Sequence, residues 1–149
     1  MSTESDEWME YALETYDVVV RPTAKARALV RKALEATSDY WEAVGLPVPR
    51  VMFAHDIPDG HLARAISGSG SAGAPLLVID YSLSKSDYDE VEITLLHELV
   101  HLFYDSAFSE DERLDPEVEE DIAESTAHLL WERRIDPADL RGILERAIR

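Results

Sequence analysis

The sequence predicts an α+β fold in which helices pack on a small antiparallel sheet, three-stranded or mixed. Three observations lead to this prediction. Short segments rich in β-branched and apolar residues lie between residues 48 and 80, and helical spacing of apolar residues occupies the chain before and after them. The length of 149 residues suits one compact unit, and neither a repeat nor a linker divides it. We therefore expect a single domain over residues 1–149.

Two amphipathic segments precede the predicted strands. Residues 5–16 carry four large apolar side chains at helical spacing, so we predict that residues 1–21 form an N-terminal extension or a short helix. Residues 23–45 place small and apolar side chains on one face, and Gly45 is expected to end this second helix.

Three strands are predicted in the middle of the chain. The first is VPRVMFAHD, residues 48–56, and the second is HLARAIS, residues 61–67, with the turn signal IPDG between them. The third is LLVID, residues 76–80, which is apolar and partly β-branched. The loop GSGSAGAP, residues 68–75, lacks the lysine and the spacing of a phosphate-binding loop.

Three helices are predicted after the strands. The segment that begins at Ser86, SDYDEVEITLLHELVHLFYDS, has a capping residue, an acidic first turn and then a long apolar stretch. Asp115 precedes Pro116, and Asp136 precedes Pro137. An N-cap residue followed by proline at the first helical position is a common start of a helix, so we expect two further helices there.

The net charge narrows the range of partners. Asp and Glu number 31 against 14 Lys and Arg, which gives a formal charge of −17. Such a surface repels nucleic acid and anionic membranes, so we expect neither as a partner. Acidic residues spread along the whole chain are also typical of proteins kept soluble in concentrated salt, which is a hypothesis about the environment rather than the activity.

Cysteine usage and hydropathy predict a cytoplasmic location. The chain has no cysteine, so any metal site must use histidine and carboxylate ligands. The amino terminus, MSTESDEWMEY, lacks the basic and apolar regions of a secretory signal. No apolar run approaches the ~20 residues that span a bilayer, so we expect no transmembrane segment.

The segment TLLHELVHLFYDS places His97, Glu98 and His101 among large apolar residues. Positions four apart share a helix face, so the two imidazoles can reach a common point. Because this helix is apolar almost all round, it is expected to be buried, and its polar stripe must be satisfied. Two neutral imidazoles bind Zn²⁺ well, and HExxH is the pattern of zinc metalloproteases, with the glutamate as general base. Paired core histidines without metal are the alternative.

A zinc site of this kind needs a third protein ligand and an open fourth position. The extended motif with a third histidine is excluded, since Tyr104 and Ala107 occupy its glycine and histidine positions. The remaining candidates share one stripe of the next predicted helix, one turn apart: Glu120, Glu124 and His128.

We choose Glu120 as the third ligand, because Ala123 and Ala127 beside it would let the two helices approach closely. Glu124 then becomes a hydrogen-bond acceptor for a ligating histidine or, alternatively, the ligand itself. His128 has the same alternatives, or it is a donor to the transition state, or it is exposed. Tyr104 is one candidate donor to the transition state, although such tyrosines are more often structural.

HELVH followed by EDIAESTA resembles the gluzincin group of zinc peptidases. The layout is most similar to the ImmA/IrrE-like metallopeptidases, whose second motif reads ExEANxFA, and to the single-domain minigluzincins. Glu120, Ala123 and Ala127 match that motif, whereas Ile122 and Glu124 are among the departures from it. The similarity covers about residues 50–131.

The resemblance implies a zincin-like fold and a zinc-dependent endopeptidase, for example a regulatory protease, acting on a protein or peptide substrate. It implies that LLVID forms the upper edge of the cleft, where an extended substrate can add as a strand. A different class of function remains open, namely an acidic interaction protein or nucleic-acid mimic whose metal site is structural. The sequence does not predict the oligomeric state.

Overall fold

The computed structural model describes residues 19–20, 23–47, 49–54, 63–66, 75–85 and 87–147. The helix predicted within residues 5–16 lies outside these described residues, as does nearly all of the loop predicted at residues 68–75. Helices and a small sheet together confirm the predicted α+β class.

The described strands form a sheet with the order β1-β2-β4-β3. Its members are β1 (Val19–Val20), β2 (Arg50–Ala54), β3 (Ala63–Ile66) and β4 (Leu76–Asp80). The outer pairs are antiparallel, but β2 and β4 run parallel. The prediction of an antiparallel sheet is therefore wrong for the central pair, and the sheet is mixed. A strand also occupies the end of the predicted extension.

The parallel pairing follows from where β3 lies. The strand that follows β2 in the sequence, β3, is not its neighbour in the sheet, because β4 lies between them. β4 runs antiparallel to β3 and therefore parallel to β2. Leu76, Leu77, Val78 and Ile79 are almost fully buried, as is usual for a strand with neighbours on both sides. LLVID is thus an interior strand, and the expectation that it forms an edge is wrong. Among the described strands, β1 and β3 are at the edges.

The helix predicted over residues 23–45 is divided in two at Thr37. The two parts are α1 (Ala24–Ala36) and α2 (Ser38–Ala43). The Thr37 hydroxyl donates to the carbonyl oxygen of Ala33 at 2.9 Å and accepts from Trp41 Nε1 at 3.2 Å. Such side-chain bonding to the preceding turn competes with the helical ladder. Gly45 follows at a φ of 75°, a backbone conformation that favours glycine, and the prediction that the helix ends there is confirmed.

Three helices follow the sheet, as predicted. They are α3 (Tyr88–Ala107), α4 (Pro116–Trp131) and α5 (Pro137–Ala147). Asp115 accepts a hydrogen bond from the Glu117 amide at 3.0 Å, and Asp136 accepts one from the Ala138 amide at 2.9 Å. Both predicted caps are confirmed. Short 3-10 turns at Tyr81–Lys85 and Glu110–Glu112 precede α3 and α4.

The helix α3 lies at the centre of the fold. It packs against β3, α1 and α4, and its apolar side chains are buried around most of its circumference. Ala123 and Ala127 of α4 are fully buried, which lets α4 approach α3 closely. This contact places the start of α4 beside the histidines of α3. In the part of the chain that the structure describes, no helix combines the length and apolar content that crossing a bilayer requires.

Candidate metal centre

The imidazole rings of His97 and His101 on α3 lie next to each other and are partly exposed. Their Nε2 atoms are 3.1 Å apart, and their ring centroids are 4.9 Å apart. About a fifth of each side chain is exposed, 22% for His97 and 21% for His101. One helical turn separates the two residues, so the predicted shared face is confirmed.

Glu120 completes the group from the opposite helix. Its Oε1 lies 2.6 Å from His97 Nε2, and its Oε2 lies 3.0 Å from His101 Nε2. Glu120 is in the second turn of α4, and its side chain is 47% exposed. The three residues each offer one ligand atom within 4.8 Å of the others, so they could hold a metal ion.

The donor atoms are of the kinds that bind zinc, and they lie closer together than they would around a bound ion. Ligand atoms on a tetrahedral zinc lie about 3.3 Å apart, because zinc bonds to nitrogen and oxygen are about 2.0 Å long. The separations of 3.1, 2.6 and 3.0 Å are shorter than this value, and the two that involve Glu120 are to different oxygens of its carboxylate. An ion would fit between the three residues with a small outward movement of Glu120, which is on the more exposed side.

The placement of protons on His101 decides whether a cation can lie between His101 and Glu120. His101 Nδ1 lies 2.8 Å from Glu119 Oε2, and an ionised carboxylate only accepts hydrogen bonds. When Glu119 is ionised, Nδ1 of His101 carries the proton, and in a neutral ring Nε2 then presents a lone pair to Glu120 Oε2. Two acceptors facing each other at 3.0 Å need a positive charge between them, either a second proton or a metal ion.

Burial favours the form of His97 that binds metal. Loss of hydration lowers the pKa of the His97 imidazole, while the neighbouring carboxylates of Glu120 and Glu124 act in the opposite direction. Burial is the larger effect. A neutral imidazole is the metal-binding form, so the setting of His97 suits a ligand.

Comparisons with protein-family models, with curated proteins and with solved structures found no match to this chain. The resemblance to gluzincins therefore stays a prediction from the two motifs.

Glu119 is the residue of the site that the sequence analysis missed. Only 8% of its side chain is exposed, and it accepts from both His101 and Arg113. Its signal in the sequence is its position, because Glu119 continues the helical stripe of the buried residues Ala123 and Ala127. A carboxylate on a buried stripe requires a partner, and that requirement was the available clue.

The predicted general base, Glu98, is buried on α3, with 8% of the residue exposed. The prediction of its role stays a prediction. Glu124 and His128 are exposed. Glu124 influences His97 through its charge, but the carboxylate in contact with a ring nitrogen of His101 is Glu119, not Glu124. The prediction that Glu124 accepts a hydrogen bond from a histidine is therefore replaced by Glu119, which lies earlier on α4.

Tyr104 has a structural position. It is fully buried, and its hydroxyl donates to the carbonyl oxygen of Leu144 at 2.8 Å. Burial, with a smaller effect of Glu119, raises the pKa of Tyr104 to about 12. Its hydroxyl thus connects α3 to α5, and the prediction of Tyr104 as a transition-state donor is not supported by this geometry.

Proposed function

We propose that the chain is a zinc-dependent endopeptidase with a zincin-like fold. His97, His101 and Glu120 hold the ion, and Glu98 is the general base. The observation that carries the proposal is the convergence of two imidazole nitrogens and a carboxylate at separations of 2.6 to 3.1 Å.

The chemistry follows from the donor set and from the neighbouring glutamate. A zinc ion bound there supplies a water nucleophile at neutral pH and polarises the scissile carbonyl group. Glu98 accepts a proton from the attacking water and passes it to the leaving amine. A carbon–oxygen bond forms, the carbon–nitrogen bond of the peptide breaks, and the amine nitrogen receives the proton.

Solvent access supports a catalytic rather than a purely structural ion. About half of the Glu120 side chain and a fifth of each imidazole are exposed, so the group has an open side toward solvent. A structural zinc site has four protein ligands and is closed, whereas a catalytic site keeps one position for water or substrate. Among the described residues, only three come together as possible ligands at this point.

The sheet offers a place for an extended substrate. Among the described strands, β3 is at an edge, and α3 packs against it. A peptide that added to this edge would pair its backbone with β3, an edge strand that packs against α3. We therefore propose β3, rather than LLVID, as the strand to which an extended substrate adds.

The second candidate is an acidic interaction protein with a structural metal site. The formal charge of −17 is the observation that favours it. The two functions differ in what Glu98 does, since an interaction protein needs no general base.

The experiment compares Glu98→Gln with a matched control, Glu90→Gln, an exposed residue of the same helix. Each zinc-loaded protein is incubated with a degenerate peptide library, and cleavage products are detected by mass spectrometry. We expect cleavage by the wild type and by Glu90→Gln, and loss of cleavage at unchanged zinc content in Glu98→Gln. Cleavage by Glu98→Gln at the wild-type rate would contradict the assigned general base. A zinc-loaded wild type that cleaves nothing would favour the interaction protein.

A further inference from the structure

An arginine connects the two helices that carry the proposed ligands. Arg113 lies in the connection between α3 and α4, after the turn Glu110–Glu112. One of its Nη atoms contacts Asp105 on α3, and the other contacts Glu119 on α4. We call Asp105, Arg113 and Glu119 the Arg113 clip.

The clip fixes a buried carboxylate in one orientation. Arg113 Nη2 donates to both oxygens of Glu119 at 2.7 Å, and Arg113 Nε donates to Oε1 at 3.0 Å. This fork-like pairing is geometrically specific, because the guanidinium group is planar and its donors are rigid. Glu119 Oε2 still accepts from His101 Nδ1 at 2.8 Å. Each oxygen of Glu119 thus has partners on fixed groups.

The Arg113 clip begins one helical turn beyond the proposed ligand His101. Asp105 is one turn after His101 on α3, so both lie on the side that meets α4 and its preceding connection. The Arg113 side chain is 24% exposed and that of Asp105 is 34% exposed, which makes this a partly buried network rather than an isolated surface pair. Isolated surface pairs contribute little, whereas partners of a ligating histidine commonly affect metal affinity.

We propose that Arg113 is a positioning residue of the metal site, and this inference depends on the proposed function. Arg113 touches neither the ion nor the substrate. It holds Glu119 against His101, so that His101 keeps its proton on Nδ1 and presents Nε2 to the ion. The same contacts hold the start of α4, and with it Glu120, next to α3.

The test compares Arg113→Met with Arg141→Met in the full-length protein. Arg141 is a matched control because it also pairs with a carboxylate, Glu145, at 3.0 Å, but on the exposed face of α5. The first measurement is zinc affinity by competition with a chelator. We expect Arg113→Met to bind zinc more weakly, by up to about 10-fold, and Arg141→Met to bind as the wild type does. The expected loss is at the lower end of the cost of losing a direct partner of a ligating histidine, because Glu119 itself is kept.

A second measurement reports on the hydrogen bond itself. In the protein loaded with Co²⁺, the exchangeable ring N–H protons of the ligating histidines appear as shifted NMR signals. We expect the His101 Nδ1 proton to exchange with solvent faster in Arg113→Met than in the wild type and in Arg141→Met. A role limited to folding stability would leave this exchange unchanged in protein that remains folded.

Arg113→Lys serves if Arg113→Met does not fold. Lysine keeps the charge and the aliphatic stem but cannot bind both Glu119 oxygens in the planar fork, so weaker zinc binding and faster exchange are still expected. Wild-type affinity and wild-type exchange in a folded Arg113 variant would overturn the positioning role while leaving the proposed zinc site intact.

Different experimental results would overturn the proposed function and the positioning role of Arg113. A wild-type protein that binds no zinc overturns the proposed function, and with it the positioning role, without any reference to Arg113. A wild-type protein that binds zinc, together with unaffected Arg113 variants, overturns the clip alone.

Discussion

His101 Nδ1 lies 2.8 Å from Glu119 Oε2, and this contact determines which nitrogen of the ring faces Glu120. If Nδ1 donates its proton to Glu119, Nε2 of the neutral ring can present its lone pair toward Glu120, whose Oε2 is 3.0 Å away. This arrangement would leave a place for a cation between the ring and the carboxylate.

The identity of the third ligand can be tested with two variants of one helix. Glu120→Ala removes the carboxylate that lies within 3.0 Å of both imidazoles, whereas Glu124→Ala removes an exposed carboxylate one turn later. We expect Glu120→Ala to lose most of its zinc on dialysis and Glu124→Ala to keep it. The measurement is metal content per chain by mass spectrometry. The reverse pattern would transfer the ligand role to Glu124.

Much of this site could be predicted from the sequence, because its geometry depends on residues that are close together in the chain. The spacing of His97 and His101 is fixed by the helix, and the cap at Asp115 sets where α4 begins. The orientation of β2 and β4 depends instead on which side of the sheet a distant strand occupies, and no local pattern reports that. The break at Thr37 depends on its hydroxyl bonding to the preceding turn, in a stretch whose apolar spacing continues unbroken.

The partner of His101 shows a different limit of sequence reasoning. Glu119 and Glu120 are adjacent in a segment full of acidic residues, and their roles differ because helical geometry turns one toward the core. Arg113 is the only residue of the clip that lies outside α3 and α4, and its approach to Glu119 depends on the path of the connection between the helices. A pattern of helical spacing does not describe that path.

Metal binding should stabilise the folded protein. A ligand that binds only the folded state at 100 times its dissociation constant stabilises by about 2.7 kcal/mol. For a chain of this length, that corresponds to a rise in Tm of roughly 5 to 11 °C. We expect a shift of this size when zinc is added to chelator-treated protein, measured by circular dichroism, and none in His101→Ala. An equal shift in His101→Ala would mean that zinc acts at another place.

The close contact between α3 and α4 should depend on small side chains. Ala123 is fully buried on α4, and leucine there would force the two helices apart. We expect Ala123→Leu to lower the free energy of unfolding by about 1 to 3 kcal/mol and to weaken zinc binding, because Glu120 moves away with α4. Ala28→Leu on the exposed side of α1 is the control, with little expected change. Urea denaturation and chelator competition measure the two effects.

Tyr104 should contribute to stability and not to catalysis. Tyr104→Phe removes the hydroxyl that donates to the buried carbonyl oxygen of Leu144. We expect a loss of about 1 to 3 kcal/mol in the free energy of unfolding, with zinc affinity and the rate of peptide cleavage unchanged. A large fall in kcat at unchanged stability would restore the role in the transition state that the sequence suggested.

The most direct test of the central claim is a crystal structure of the full-length protein grown with zinc, with anomalous data collected at the zinc absorption edge. The account predicts one strong anomalous peak about 2.0 to 2.2 Å from His97 Nε2, His101 Nε2 and a carboxylate oxygen of Glu120, with a water at a fourth position. Absence of a peak there, with the two imidazoles bonded only to each other, to carboxylates or to water, would contradict it.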